Sequence, residues 1–440
     1  MSVLNNFSVS ITKGLRRLRK SAKQLNPALL PSSTTRRRGS TSSDQPKLNM
    51  DKCLIVSKVT RYEYEKHSLD NISDSELESV LRKRGSDFDA MLQNHKEQKQ
   101  FEHGVARSLK EMGREVEMAS RLTYNDELIK WCDVVVPCGG DGTFLLAASR
   151  VRDAEKPVIG FNSAPHKSVG RLCLPTWCSN DVKGALHALK EGRFRWMRRS
   201  RIRTTITCEP KFLDTITPVD LHTLHYSRYP AVVHPHDSTD APTTNEQFTT
   251  EERKSVLHTK VLPFLALNEV FIGESVTSRV SLLRLQIDKG AWTHTKSSGL
   301  CVTTGTGSTS WHFSINCLRT HSVLELMKIL SEEGVKVDTT LEKAREIAER
   351  YNQRLMFPPE SDKLAYSVRE YITFEEWPAP RGLRVRDRAA AVRVRSHCVD
   401  AGLVIDGSVS FPFNDGTEAL LEIHPEDALM TVHMDDALPY

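Results

Sequence analysis

Hydrophobic positions along this chain fall in two rhythms. Between residues 53 and 161, short apolar runs alternate with stretches at helical spacing. Residues 53–59 (CLIVSKV) read as a strand, and a long polar stretch with helical spacing follows. A second helix fits residues 101–112 and ends at Gly113. Residues 115–119 read as a strand, 126–131 as a short helix and 133–137 as a buried strand. After a glycine cluster come a helical run over 144–151 and a strand over 157–161. Repeated β-α-β units predict a parallel sheet with helices on its faces.

From about residue 201 the rhythm shortens. Runs rich in Thr, Val and Ile appear at 203–207, 265–272, 280–287, 300–304 and 391–395, separated by turn residues. Asp406-Gly407, set between Leu403-Val404-Ile405 and Val409-Ser410-Phe411, is the signature of a tight hairpin. This half is expected to be antiparallel and β-rich. Residues 209–258 are polar and Thr/His-rich and read as a long loop, whereas 322–355 carry helical spacing and read as an insertion. The expected organisation is a leader over 1–45, an α/β nucleotide-binding domain over 51–200 and a β-rich domain over 201–400. The strands and tail of 401–440 return toward the first domain.

Composition changes this picture in one respect. The 440 residues carry a net charge of +5. Residues 1–43 alone hold nine basic residues and no acid, so the rest of the chain is slightly acidic. A nucleic-acid binder needs its positive charge on the folded body, so no nucleic-acid partner is expected. The leader is rich in Ser and Arg, and Val9, Ile11, Leu15 and Leu18 interleave with Lys13, Arg16, Arg17, Arg19 and Lys20. That is the composition of a mitochondrial transit peptide; a disordered basic tail and a nuclear signal at Arg36-Arg37-Arg38 are the other readings. No apolar run reaches membrane-spanning length, so no stable membrane association is expected. The nine cysteines include no C-x-x-C pair and read as free thiols in a reducing compartment. His222, His225, His234 and His236 have spacings that can bind zinc, but no Cys or carboxylate accompanies them, and a solvated loop is expected.

Three segments could carry chemistry. Gly139-Gly140-Asp141-Gly142-Thr143 links an apolar strand to a helix. Glycines let a backbone approach a ligand, and a helix N-terminus suits phosphate. An acid amid such a turn repels phosphate, but it makes sense as a proton acceptor for a hydroxyl or as a metal holder. It could equally cap the helix. There is no G-x-x-x-x-G-K-[ST] and no G-x-G-x-x-G after a strand, which excludes a P-loop and a dehydrogenase-type dinucleotide fingerprint. Asn268-Glu269 lies inside the apolar run LPFLALNEVFIG, where buried polar residues cost free energy unless paired; a strand end near the surface is the plainer reading. Residues 303–311 (TTGTGSTSW) form a hydroxyl-rich loop that either binds or merely turns, with Trp311 able to stack on a base.

In this order, GGDGT, the Asn-Glu pair and the TGST loop resemble the NAD kinase family, over about residues 53–432. LNEVFIGES, KSSGL and FRWMRRSRIR are similar to the divergent mitochondrial form found in animals. The resemblance implies an α/β N-terminal domain with a Rossmann-like parallel sheet and an all-β, sandwich-like C-terminal domain, the nucleotide lying between them. It implies transfer of the γ-phosphoryl of ATP to the 2′-hydroxyl of the adenosine ribose of NAD, with a divalent metal, Mg2+, in the mitochondrial matrix. Asp141 would be the base. Gly139, Gly140, Gly142 and Thr143 would line the phosphate path. Asn268 and Glu269 would contact adenosine, and Thr306, Thr309, Ser310 and Trp311 would form the adenine-side loop. No metal ligands are assigned.

Three departures from the family pattern stand out. Ser298 replaces an Asp, the segment NSAPHKSVGRL leaves Asn162 and Arg171 as open candidates, and the Gly-Gly-Pro after Trp311 is missing. A homodimer is expected. GGDGT also occurs in diacylglycerol and sphingosine kinases, so a lipid kinase and a non-catalytic NAD-binding protein are the alternatives.

Overall fold

The computed structural model describes residues 46–69, 71–210, 216–221, 257–372 and 383–435. The leader, the four loop histidines and most of the 209–258 segment lie outside the described residues.

Lys52–Ser57 forms the centre of a parallel sheet, flanked by Glu115–Ser120 and Val134–Cys138. Lys52–Ser57 and Val134–Cys138 are buried almost throughout, because helices cover both faces. Glu115–Ser120, at the edge, keeps its charged positions exposed. Residues 157–161 run alongside through parallel bridges at Val135–Val158 and Cys138–Phe161. Val158 N–H then donates to the Met430 carbonyl at 2.9 Å. Leu429–His433 pairs antiparallel with Arg195–Arg199 in a separate two-stranded sheet, which this bond ties to the first.

The polar stretch after the first strand is three helices, Arg61–Ser68, Asp74–Lys83 and Phe88–Glu111. The first two begin in capping boxes at Thr60/Glu63 and Ser73/Glu76. The helix expected over 101–112 starts thirteen residues earlier than its sequence spacing indicates. Its buried stripe contains Gln98 and Glu102, which hide the apolar period. Both are satisfied: Gln98 Nε2 donates to the Cys138 carbonyl at 3.0 Å, and Glu102 pairs with Lys99 at 2.8 Å.

The second half is two antiparallel sheets. One runs in the order Thr293–Ser297, Ser281–Ile287, Ala391–Ser396, Glu418–Ile423, Ile202–Cys208, His258–Val261. The other runs Arg386–Ala389, Leu364–Arg369, Gly299–Thr303, Glu269–Glu274, Ala401–Ile405, Val409–Pro412, Val219–Asp220. Inward residues of both, such as Ile202, Ile206, Val392 and Val394 against Val270, Ile272, Leu300 and Leu403, share one core. Ile202–Cys208 alternates buried and half-buried positions along its length, the period of a strand with one face inward. Asp406 and Gly407 both have positive φ (47° and 65°), which closes the hairpin between Ile405 and Val409. Two helices, Thr320–Glu332 and Leu341–Gln353, pack on each other through Val323, Met327, Ala344 and Ala348. All nine cysteines are free.

Candidate active site

The glycine turn joins Val134–Cys138 to the helix Asp141–Arg150. A Cβ at Gly139 would lie 2.3 Å from Thr143 Oγ1, so only glycine lets the turn close onto its helix. Gly140 occupies the N-cap and supplies no side-chain cap. Asp141 does not cap its own helix either. Its carboxylate accepts the backbone N–H groups of Leu172 at 2.9 Å and Arg171 at 3.2 Å. This holds the carboxylate in a fixed orientation, with acceptor capacity to spare.

Asn268-Glu269 leads into the strand Glu269–Glu274. Asn268 is 5% exposed, and its Nδ2 donates to Ser310 Oγ at 3.3 Å. Its backbone carbonyl accepts from Thr304 N–H at 3.0 Å and Thr303 Oγ1 at 2.9 Å. Gly307 closes the same contact, since a Cβ there would sit 2.2 Å from that carbonyl oxygen. Asn268 Oδ1 and Glu269 Oε2 are buried with no partner among the described residues. Buried polar atoms are normally paired, so these two invite a ligand. Burial, and then the nearby Asp406 charge, push the Glu269 carboxyl up to about 8. Thr306 is buried and Thr309 Oγ1 donates to its carbonyl at 3.3 Å. Trp311, 36% exposed, lies against Phe271 at 4.7 Å between ring centroids, with the Arg369 guanidinium 5.9 Å from its own ring.

Residues 50–193 match the family profile described as ATP-NAD kinase N-terminal domain. The chain is 38% identical to human "NAD kinase 2, mitochondrial" over 386 residues, covering 87% of this chain and 84% of the relative. It is 37% identical to the Xenopus tropicalis protein of the same name, covering 87% and 90%. The chain belongs to the NAD kinase family. Among solved structures, an NAD kinase from Archaeoglobus fulgidus in complex with ATP is 15% identical, with a TM-score of 0.44 over 86% of this chain and 92% of that one.

In this NAD kinase two functional candidates were invisible in the sequence. The first is Asp406, read there only as a turn residue. Its carboxylate accepts the N–H groups of Leu267 and Asn268 at 2.8 Å and of Glu269 at 3.0 Å. It thereby fixes the backbone under the Asn-Glu pair. Burial outweighs those three amides and raises its pKa to about 6. With Gly407 and Ser408 it faces Gly140, Gly142 and Thr143 across a cavity of about 400 Å3. The second is Arg199, at the end of Arg195–Arg199 and 8% exposed. Its Nη1 donates to Thr306 Oγ1 at 3.3 Å, and its Nε has no partner among the described residues. Burial lowers its pKa to about 10, against the pull of Asp141, the strongest charge acting on it. Arg199 thus stands between the glycine turn and the hydroxyl loop. Its only sequence signal is a place in the basic run RWMRRSRIR.

The departures also find their places. Ser298 N–H and Oγ both donate to the Arg369 carbonyl, at 3.0 and 3.3 Å. Asn162 is buried and holds its own loop, donating to the Ser168 carbonyl at 2.9 Å and accepting from Ala164 N–H at 3.1 Å. Arg171 contributes its backbone to Asp141 and leaves its side chain exposed. No helix among the described residues is long and apolar enough to cross a membrane.

Proposed function

We propose that this NAD kinase transfers the γ-phosphoryl of ATP to the 2′-hydroxyl of the adenosine ribose of NAD in the mitochondrial matrix, with Asp141 as the base. The 2′-oxygen bonds to the γ-phosphorus, the bond from that phosphorus to the bridging oxygen breaks, ADP leaves, and the hydroxyl proton passes to Asp141. Such a transfer asks the protein mainly for positioning and charge neutralisation. The glycine turn and the first turn of Asp141–Arg150 receive phosphate. Arg199 supplies a fixed, poorly hydrated cation where charge spreads over the phosphoryl oxygens. Asn268 and Glu269 meet the adenosine side, with Thr306, Thr309, Ser310 and Trp311 behind them. The observation that carries this reading is the pair of unpartnered buried oxygens, Asn268 Oδ1 and Glu269 Oε2, on a backbone held by Asp406, which lines a cavity of about 400 Å3 with Gly140, Gly142 and Thr143.

No three His, Cys, Asp or Glu side chains gather into a metal cage among the described residues. Mg2+ would therefore sit on the donor's phosphates and its own waters, with Asp141 as the carboxylate on offer, and would neutralise phosphate charge. The lipid-kinase alternative gives way to relatives that match along 87% of the chain.

The test is NADP formation from NAD and ATP, wild type against Asp141→Asn. The variant should keep NAD affinity within about tenfold and lose roughly 10²–10⁴ in turnover. Near wild-type turnover would remove Asp141 from the base role, and no NADP from the wild type would leave only a non-catalytic binder. The homodimer belongs to the same proposal, and sedimentation equilibrium at micromolar protein should return twice the chain mass.

A further inference from the structure

The helical insertion meets the second sheet of the β-rich half over a cavity of about 340 Å3. The helix Leu341–Gln353 supplies Tyr351, and the turn after it supplies Arg354 and Leu355. The edge strand Arg386–Ala389 supplies Arg386, Asp387 and Arg388. The buried side chains of His312 and Ala365 complete the lining with Arg384. The volume is that of a small-molecule site. Neither Asp141 nor Asn268, Glu269 or Thr306 lines it, so the cavity stands apart from the proposed site of transfer.

Its positive charge is unbalanced. Four arginines line the cavity with one carboxylate, Asp387, and that carboxylate is already engaged. Asp387 accepts from Arg384 Nη1 at 2.9 Å and from the Arg388 N–H at 2.9 Å. Among the described residues no carboxylate pairs with the guanidinium of Arg354, Arg386 or Arg388. Two of these three are braced. Arg386 Nη2 donates to Tyr351 Oη at 2.8 Å, and the Arg388 guanidinium lies 4.0 Å from the centre of the Phe357 ring. A guanidinium stacked on a ring keeps the N–H groups along its edge available. A cleft lined by one sign of charge concentrates its field on a counter-ion. His312 feels that field: burial, and then the charges of Arg386 and Arg388, push its imidazole down to about 4. Guanidinium forks match carboxylate and phosphate oxygens in paired hydrogen bonds. Three such forks around one small space call for more than a single negative charge.

We infer that the cavity between Tyr351 and Arg388 binds a small oxyanion of two or more charges, gripped by Arg354, Arg386 and Arg388. Phosphate compounds and polycarboxylates share that chemistry. The site does not depend on the role given to Asp141. It adjoins the acceptor side through His312, the chain neighbour of Trp311 on the helix Trp311–Asn316.

Calorimetric titration of the full chain with inorganic pyrophosphate, and separately with citrate, tests the inference. A non-hydrolysable ATP analogue is held at saturation throughout, so that the glycine turn is filled. Arg354 is exposed and carries no ion pair among the described residues, so Arg354→Gln leaves the fold alone. Arg354→Gln/Arg388→Gln removes two of the three forks. Arg107→Gln/Lys110→Gln, on the exposed face of Phe88–Glu111, removes the same charge elsewhere. Wild type should bind at least one of the two anions, one per chain. Arg354→Gln should weaken that binding about tenfold and the double variant about a hundredfold. The control pair should hold within about twofold. Tighter binding of pyrophosphate makes the ligand a phosphate compound, and tighter binding of citrate makes it a polycarboxylate. No binding of either anion at millimolar concentration overturns the inference. So does an affinity equal in wild type, Arg354→Gln and the double variant, or a loss in the control pair as large as in the double variant.

Discussion

Asp406 offers the sharpest test of how the site is held together. Its carboxylate accepts three backbone N–H groups, those of Leu267, Asn268 and Glu269. Asp406→Ala strands all three. A buried donor left without a partner costs about 1–3 kcal/mol, so the gross loss centres near 6 kcal/mol. Part is returned, because burial holds the carboxyl at about 6 instead of 3.8. Relief of that shift is worth about 3 kcal/mol at neutral pH. The net expectation for Asp406→Ala is a destabilisation of about 3 kcal/mol. Asp406→Asn should be milder, near 1 kcal/mol, since the oxygen facing Asn268 and Glu269 is kept and only the Leu267 contact is lost. The assay is urea unfolding of both variants, paired with KM for NAD. The alanine variant should raise KM for NAD clearly, because Asn268 and Glu269 lose their register, and the asparagine variant should not. A loss below about 1 kcal/mol in Asp406→Ala, or an asparagine variant as damaged as the alanine one, would refute the reasoning.

Two further outcomes are expected. Glu269 has its folded pKa raised from 4.5 to about 8, so between those values the folded chain keeps a proton that the unfolded chain releases. Stability should therefore fall as pH rises through that window and level off above it. Glu269→Gln cannot ionise and should gain on wild type between pH 5 and pH 9 in unfolding experiments; a constant difference would contradict the shift. Arg199→Met should melt within about 1 kcal/mol of wild type, because an apolar side chain of similar volume often replaces a buried charge without loss. Its turnover should fall at least tenfold with KM for NAD little changed, as expected when a preorganised charge is lost. A variant that melts early yet turns over normally would make Arg199 purely structural.

Some of this was legible in the sequence. The change from a β-branched run to helical spacing around Gly139-Gly140-Asp141 marks a strand, a turn and a helix, and they are there. The Asp406-Gly407 hairpin was equally plain, because two positive φ angles demand such residues. The purpose of the Asp406 carboxylate was not, since its donors lie 137 to 139 residues away in the chain. Periodicity misses contacts of that reach. Arg199 was hidden for a different reason. A basic run looks like a solvated face, yet Arg199 and Arg201 within it are both buried. The helix Phe88–Glu111 was cut short because Gln98 and Glu102 stand where the rule expects apolar side chains.

The strand Leu429–His433 carries one more consequence. It receives the Val158 N–H and gives Arg195–Arg199 its partner, yet Thr431 lies 234 residues beyond Met197 in the chain. A chain that emerges from a ribosome, or enters an organelle, amino end first must wait with that edge bare until Leu429–His433 arrives. Long-range closures of this kind are slow and leave strand edges open to wrong partners. Disrupting Leu429–His433 should thus harm the solubility of the amino-terminal half, far away in sequence.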